Sequence, residues 1–439
     1  NFYSMKKYFL AVASFFIYSH ISLGQVYPGQ MDSTFVPVRS HHYDPELTFD
    51  FCVNEPAWNN QAGIHSAFGS TDRLYFRKEV PVNHNNDLSS SYSTTVWRGE
   101  RANAQILVWS SEALEQVRVS TQDLRSAEGN IIPKDRITFE LVRYVLSNYP
   151  YAEKKAICGE SPYKSGFLMP DRFETLDRFD LPSQTTRPVW MMVDVPRGTV
   201  PGTYKGQVEV RAKGKAPQLL NLEIVVQNQL LPYPKDWKYR LDLWQNPWAV
   251  AWYNHVEPWS PEHKMLLKQH LKHYADAGGT YITTYGVHSP WSDNSYMIEG
   301  GMIEWIKKAD GTWAFDYKIF DEYVELAMEC GIDEAITLYT PIPWGFRHRY
   351  KDEATGDYSY INWAPSSEEF KKMWNIFLTD FKFHLEAKSW LDITYIGINE
   401  NPMEETLAAI NVVRNHDKCW KITYAGNWHK ELDGLLDDY

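Results

Sequence analysis

Hydrophobic and polar residues alternate through most of the stretch from about residue 90 to 230. In Thr203-Tyr-Lys-Gly-Gln-Val-Glu-Val-Arg211, Tyr204, Val208 and Val210 fall on one side, and Lys205, Gln207, Glu209 and Arg211 on the other. This is the period-two signature of a half-buried antiparallel strand. Lys213-Gly214-Lys215 turns the chain into a second alternating run of Leu220, Leu222, Ile224 and Val226. Residues 104–109 and 189–193 read as further strands, with Pro201-Gly202 as a turn between runs. No long helical period interrupts them, so the region 25–231 predicts an N-terminal β-sandwich. Its first part, 25 to about 90, is polar and rich in Asn and Ser near 83–91, and predicts only added strands or loops.

Two prolines in Leu231-Pro-Tyr-Pro-Lys-Asp-Trp237 mark a linker over 232–238, and beyond it the period changes. Residues 239–244 predict a strand. Ser260 followed by Pro261 predicts a helix start, and Gly278-Gly279 its end. A second strand follows at 281–287. Ile319, Phe320, Tyr323, Val324, Ala327 and Met328 then share one helical face. A third strand at 334–340, a helix at about 367–388, a strand ending at Glu400 and a fifth strand at 421–428 complete the pattern. Five strand–helix units imply a (β/α)8 barrel or a doubly wound sheet. Eight units over roughly 250 residues make a barrel, and 239–439 supplies five. The expectation is therefore a multidomain α and β protein: a β-sandwich followed by a (β/α)8 TIM barrel truncated after about five strands.

Charge and composition narrow the partners. The 44 basic and 56 acidic residues leave a formal charge of −12, which disfavours nucleic acid and anionic membrane. Eighteen Trp and 28 Tyr serve a packed core, and their flat faces also suit pyranose rings. Residues 1–24 read as upstream residues and a signal peptide. Met5-Lys6-Lys7 is the positive region, a short apolar stretch follows, and Ser22-Leu-Gly24 is the cleavage site. Export to the periplasm or the exterior is the expectation, and the apolar stretch is too short to span a bilayer. Cys52, Cys158, Cys330 and Cys419 lie far apart without metal-ligand spacing. Free thiols and disulfides both stay open. His270 and His273 have a helical metal spacing but lie mid-helix, and Arg347-His348-Arg349 reads as an exposed loop able to meet an anionic sugar substituent. No metal or cofactor is expected.

Candidate chemistry gathers at the predicted strand ends. In Asp392-Ile-Thr-Tyr-Ile-Gly-Ile-Asn-Glu400-Asn-Pro402 a buried strand runs into a carboxylate, and Pro402 opens a helix. An acid at that tip stands where parallel sheets place catalytic groups; the competing role is a charge at the helix N-terminus. If the five strands share one mouth, they bring Trp244 and Asn246, His288 and Trp291, Tyr339 and Trp344, Asn399 and Glu400, and Asn427, Trp428 and His429 together. One carboxylate, partly buried among Trp side chains and ringed by amides and imidazoles, is the chemistry of a glycoside pocket. Barrel packing accounts equally well for about half of these aromatics.

Several segments resemble glycoside hydrolase family 123. They are Leu241-Asp-Leu-Trp-Gln-Asn-Pro247, Thr199-Val-Pro-Gly-Thr-Tyr-Lys-Gly206, His384-Leu-Glu-Ala-Lys-Ser-Trp390, the strand from Asp392 to Pro402, and Ala425-Gly-Asn-Trp-His429. The resemblance implies a β-sandwich, a (β/α)8 barrel and a small C-terminal β domain. It also implies metal-free removal of terminal β-linked N-acetylhexosamine, GalNAc above all. In that family an adjacent Asp-Glu pair ends the fourth strand. The Glu is the general acid/base and the Asp orients the 2-acetamido group that attacks the anomeric carbon with net retention. Glu400 matches the acid, whereas Asn399 stands where Asp is expected and brings no charge to the transition state. Two alternatives remain open: a two-carboxylate retaining glycosidase with Asn399 on a 2-hydroxyl, and a carbohydrate-binding relative without catalysis.

Overall fold

The computed structural model describes residues 55–82, 88–147, 167–291 and 300–439. The signal segment, Cys52 and Cys158 lie outside the described residues. The chain divides between Leu231 and Pro232 into two compact units.

The first unit carries β1 (His65–Gly69), β2 (Ser91–Arg98), β3 (Arg101–Ser110), β4 (Leu114–Thr121), β5 (Leu124–Arg125) and β6 (Ile131–Ile132). It continues with β7 (Ile137–Ser147), β8 (Phe167–Thr175), β9 (Phe179–Leu181), β10 (Thr185–Asp194), β11 (Gly202–Arg211) and β12 (Gln218–Leu230). Five strands form one sheet in the order β1-β3-β10-β7-β8, and the others form a second around β2-β12-β11-β4-β9. Every pairing is antiparallel except that of β12 with β2. The alternation read at 203–211 is β11: Tyr204, Val208 and Val210 are fully buried while Lys205, Gln207 and Arg211 are exposed. One apolar cluster joins the inward residues of both sheets, Ile106, Val189 and Leu141 from the first and Tyr204, Val208 and Leu222 from the second. Period-two burial on each sheet places these residues in one shared core.

In the second unit, β13 (Tyr281–Tyr285), β16 (Ala335–Tyr339), β19 (Thr394–Asn399) and β20 (Lys421–Ala425) pair in that order, all parallel. β13 and β16 are buried at every position, as expected for strands covered on both faces. Helices α1 (Pro247–Asn254) and α2 (Pro261–Asp276) precede β13, and α3 (Lys318–Glu329), α4 (Glu368–Lys388) and α5 (Met403–His416) fill the crossovers. Ser260 and Ser367 cap α2 and α4 through the backbone N–H of His263 and Phe370. Phe320, Tyr323, Val324 and Ala327 of α3 are fully buried, and Phe370, Trp374, Phe377 and Phe381 of α4 pack into the same core.

Two expectations change. The strand predicted at 239–244 is reduced to one parallel bridge, Leu241 to Gly279, so the sheet has four strands rather than five. Side chains take the place of the ladder there. The Tyr274 hydroxyl donates to Leu241 O at 2.7 Å and accepts from Leu243 N–H at 3.2 Å, and Gln245 Oε1 accepts from Thr283 N–H at 3.0 Å. On the other edge Asp438 makes a single parallel bridge to Thr423. The second change is a further sheet within the crossovers: β14 (Glu304–Lys307), β15 (Trp313–Asp316), β17 (Arg347–Asp352) and β18 (Tyr358–Asn362), in the order β15-β14-β17-β18. Arg347-His348-Arg349 therefore lies in a strand, not a loop. One face of this sheet is buried through Trp305 and His348, with Phe315 partly buried beside them and Trp305 stacked on Phe377 at 4.8 Å. Short strands of mixed aromatic and charged residues lack the long apolar run by which a buried strand is recognised.

Candidate active site

Glu400 follows β19 directly and is exposed, which corrects the expected burial among Trp side chains. It does not cap α5: that helix begins at Met403 with Pro402 as its cap residue, and Glu404 and Glu405 supply the acidic first turn. Its Oε1 accepts a 3.0 Å hydrogen bond from Asn427 Nδ2, just beyond β20. One carboxylate oxygen is thus held from the neighbouring strand end while the other remains for chemistry.

Asn399 is buried, with 1% of its surface exposed. Its carboxamide lies among four polar atoms. The orientation that satisfies most of them has Nδ2 donating to Ile342 O at 2.6 Å and Oδ1 accepting from Trp344 Nε1 at 3.3 Å. Thr340 Oγ1 lies 3.3 Å from the inner end, and Asn401 Nδ2 lies 3.0 Å from it. The amide therefore ties the end of β19 to the segment following β16.

The aromatic residues separate into two groups. Trp244 stacks on Trp291 with centroids 4.7 Å apart, meets Tyr339 edge-on at 5.0 Å, and donates from Nε1 to the Tyr339 hydroxyl at 3.0 Å. Trp291 and Tyr339 are buried, so they support the platform; Trp244, 46% exposed, offers it. Trp428 is exposed. Trp344 is partly buried and serves Asn399.

The remaining predicted residues have other duties. The Asn246 side chain accepts from Ala249 N–H at 3.2 Å and caps α1. His429 N–H donates to the Tyr439 hydroxyl, which in turn donates to Asn427 O, both at 2.7 Å. This clamp fixes the backbone that aims Asn427 at Glu400. His288 is half-buried, and desolvation, aided by the Arg349 and Arg347 charges, lowers its pKa to about 4. It is a neutral imidazole at physiological pH. His270 and His273 are exposed on α2, and among the described residues no group of three metal-ligating side chains occurs. Cys330 is a buried free thiol and Cys419 an exposed one.

Asp242, in the segment that ends in Trp244, is not among the predicted site residues. Its Oδ1 is buried without a partner, and burial, with the Asp438 charge, pushes its pKa up to about 6. The available signal was an acid flanked by Leu241 and Leu243 on a strand-like segment, where a polar face is out of place. A cleft in this unit outside the strand ends has a volume of about 450 Å³ and is lined by Lys371, Asn375, Asn411 and Asn415 of α4 and α5. Its lining carries no acid.

Comparison with known proteins follows the same division. The family model for the glycoside hydrolase 123 catalytic domain matches residues 244–439, and that for the glycoside hydrolase 123 N-terminal domain matches residues 68–212. The chain is similar to the solved family 123 glycoside hydrolase from Clostridium perfringens, described for glycolipid glycan hydrolysis, at 26% identity and a TM-score of 0.74. That match covers 86% of this chain and 66% of the Clostridium chain, so this chain spans just under two thirds of that protein's length. A family 39 glycoside hydrolase from Bacteroides cellulosilyticus WH2 is far more distant: 13% identity, TM-score 0.24, 71% of this chain and 50% of that one. No curated protein matches the chain.

Proposed function

Because this chain belongs to glycoside hydrolase family 123, we propose that it comes from an exported enzyme that removes terminal β-linked N-acetylhexosamine, GalNAc first, from glycans. The observation that carries the reading is Glu400: an exposed carboxylate at a parallel-strand tip, relieved of helix capping and oriented by Asn427. With Oε1 held by the Asn427 amide, Oε2 is left to protonate the leaving oxygen and later to deprotonate water. The exposed face of Trp244 suits the apolar face of a sugar ring. In the substrate-assisted mechanism that the family implies, the acetamido oxygen is the nucleophile, so one acid/base suffices.

We read Asn399 as a positioning residue, since its amide is spent on Ile342 and Trp344 inside the protein. The facing sheets of the first unit support a β-sandwich, and the four parallel strands with their helices support part of a (β/α)8 barrel. Export rests on the leader read in residues 1–24. The glycolipid glycans handled by the Clostridium enzyme are the natural first substrates to try.

Glu400→Gln tests the assignment. The variant keeps the Asn427 contact and loses the proton donor, and should lose about 10²–10⁴ in kcat on an alkyl or glycan GalNAc glycoside. The loss should be much smaller on a nitrophenyl glycoside, whose leaving group needs no proton. Undiminished turnover of the alkyl substrate refutes the role.

A further inference from the structure

The outer face of the sheet β15-β14-β17-β18 is rich in charge, with two arginines at its centre. On β17, Arg347 and Arg349 share that face, opposite the buried His348, and the register sets Arg349 against Tyr360 of β18. The Arg347 guanidinium lies 3.7 Å over the Tyr360 ring, and that of Arg349 4.2 Å over Tyr358. These contacts hold the planar groups in place without neutralising them. Among the described residues Arg347 has no ion pair. Arg349 has one at 3.9 Å, to Glu304 Oε1, while Glu304 Oε2 accepts from the Tyr358 hydroxyl at 2.8 Å. The Arg349 Nε is buried without a partner. The register sets Asp316 of β15 opposite Glu304 and Lys351 of β17 opposite Ile306, so Arg347, Arg349 and Lys351 meet two carboxylates, Glu304 and Asp316, and leave a net positive patch on a chain whose formal charge is −12.

The patch is tied to the candidate active site. Arg347 is three residues beyond Trp344, at most about 10 Å of chain, and the Trp344 indole meets Asn399, the neighbour of Glu400. Trp344 N–H donates to Pro290 O at 2.9 Å, which joins this segment to the one bearing His288, and both arginine charges act on that imidazole.

We propose that Arg347 and Arg349, each backed by a tyrosine ring, bind an anionic substituent, a sulfate ester or a carboxylate, on the glycan held at Glu400. The guanidinium fork matches such oxyanions in two-point hydrogen bonding, and the neutral His288 adds a donor or acceptor without a competing charge. This rests on the reading of Glu400 for its catalytic consequence, but not for binding.

The test uses the complete protein, with Arg347→Gln and the double variant Arg347→Gln/Arg349→Gln. Substrates are a neutral GalNAc-terminated glycan and its sulfated and sialylated counterparts. Thermal melting verifies that each variant folds, and the exposed Arg347→Gln serves if the double variant does not. The double variant should lose about 10- to 100-fold in kcat/KM on at least one acidic glycan, the scale of charged hydrogen bonds. On the neutral glycan it should change within about twofold. Sulfated against sialylated glycan identifies which anion is read. Equal losses on neutral and acidic glycans, or no loss, overturn the proposal. If no glycan is turned over, the Glu400 reading fails. Calorimetric titration then decides the anion site alone: tighter binding of the acidic glycan, lost in the variants, supports it, and no preference overturns it. Binding of glycan-free phosphatidylserine vesicles, lost in the same variants, would overturn it in favour of a lipid surface.

Discussion

Asn399→Asp exchanges one atom in the tightest polar contact near Glu400. The carboxamide nitrogen donates to Ile342 O at 2.6 Å, and the oxygen accepts from Trp344 Nε1 at 3.3 Å, in a position 1% exposed. An ionised carboxylate there would set one oxygen against a carbonyl oxygen. A protonated one reproduces the amide pattern, its O–H donating to Ile342 O and its carbonyl accepting from Trp344. Burial and the Ile342 carbonyl should therefore raise the pKa of the introduced carboxyl above the usual carboxylate range and favour its protonated form in the folded protein. The sign follows from linkage. A folded pKa above the unfolded value means the folded state binds more protons, so stability is full below about pH 3.9 and lost as pH rises towards the folded value. The variant should match the wild type near pH 4 and fall behind by about 1.4 kcal/mol per pH unit until the folded pKa is passed. To the extent that it stays protonated, it should bring no gain in turnover of an acetamido sugar, although the family's own Asp would suggest one. Urea unfolding of both proteins from pH 4 to 8, followed by Trp fluorescence, measures the difference. A stability difference independent of pH, or a rise in turnover at pH 7 without loss of stability, would refute the reasoning by showing that the carboxylate turns outward as an anion.

Asp242 has a folded pKa raised to about 6 by burial and Asp438, so its cost develops as pH rises from about 4 to 6; Asp242→Asn should stabilise at pH 7.5 on the order of 2–3 kcal/mol and little at pH 4, read by the same titration. Burial lowers the His348 pKa to about 4, so stability falls as pH drops from about 6.5, and with Asp242→Asn removing the opposing trend this acid loss should steepen. Asn427→Ala removes one hydrogen bond to an exposed Glu400 and should cut kcat/KM about 2- to 10-fold with an unchanged melting temperature; an unaffected rate would show that the contact does not orient the acid.

The chain alone determined those features that rest on local periodicity and end signals. Alternation in residues 203–211 is enough to specify β11, because a strand's two faces are written in adjacent positions. Ser260-Pro261 and Ser367 specify the starts of α2 and α4, because a cap is made within three residues. Glu400 was legible for the same reason: an apolar run ending in an acid before Pro402 is a local statement. Only the tertiary structure decided which side chains complete the site. The strand expected at 239–244 lost its ladder to Tyr274 and Gln245, whose partners lie tens of residues away. Asn399 became an internal tie, because Ile342 and Trp344 of another crossover reach it. Arg347 and Arg349 left a predicted loop for a strand whose face is set by its register with β18. Periodicity encodes which face of an element is buried, but hydrogen bonds and charges are satisfied by whatever atoms the folded chain brings within about 3 Å, and those neighbours are written nowhere near one another in the sequence.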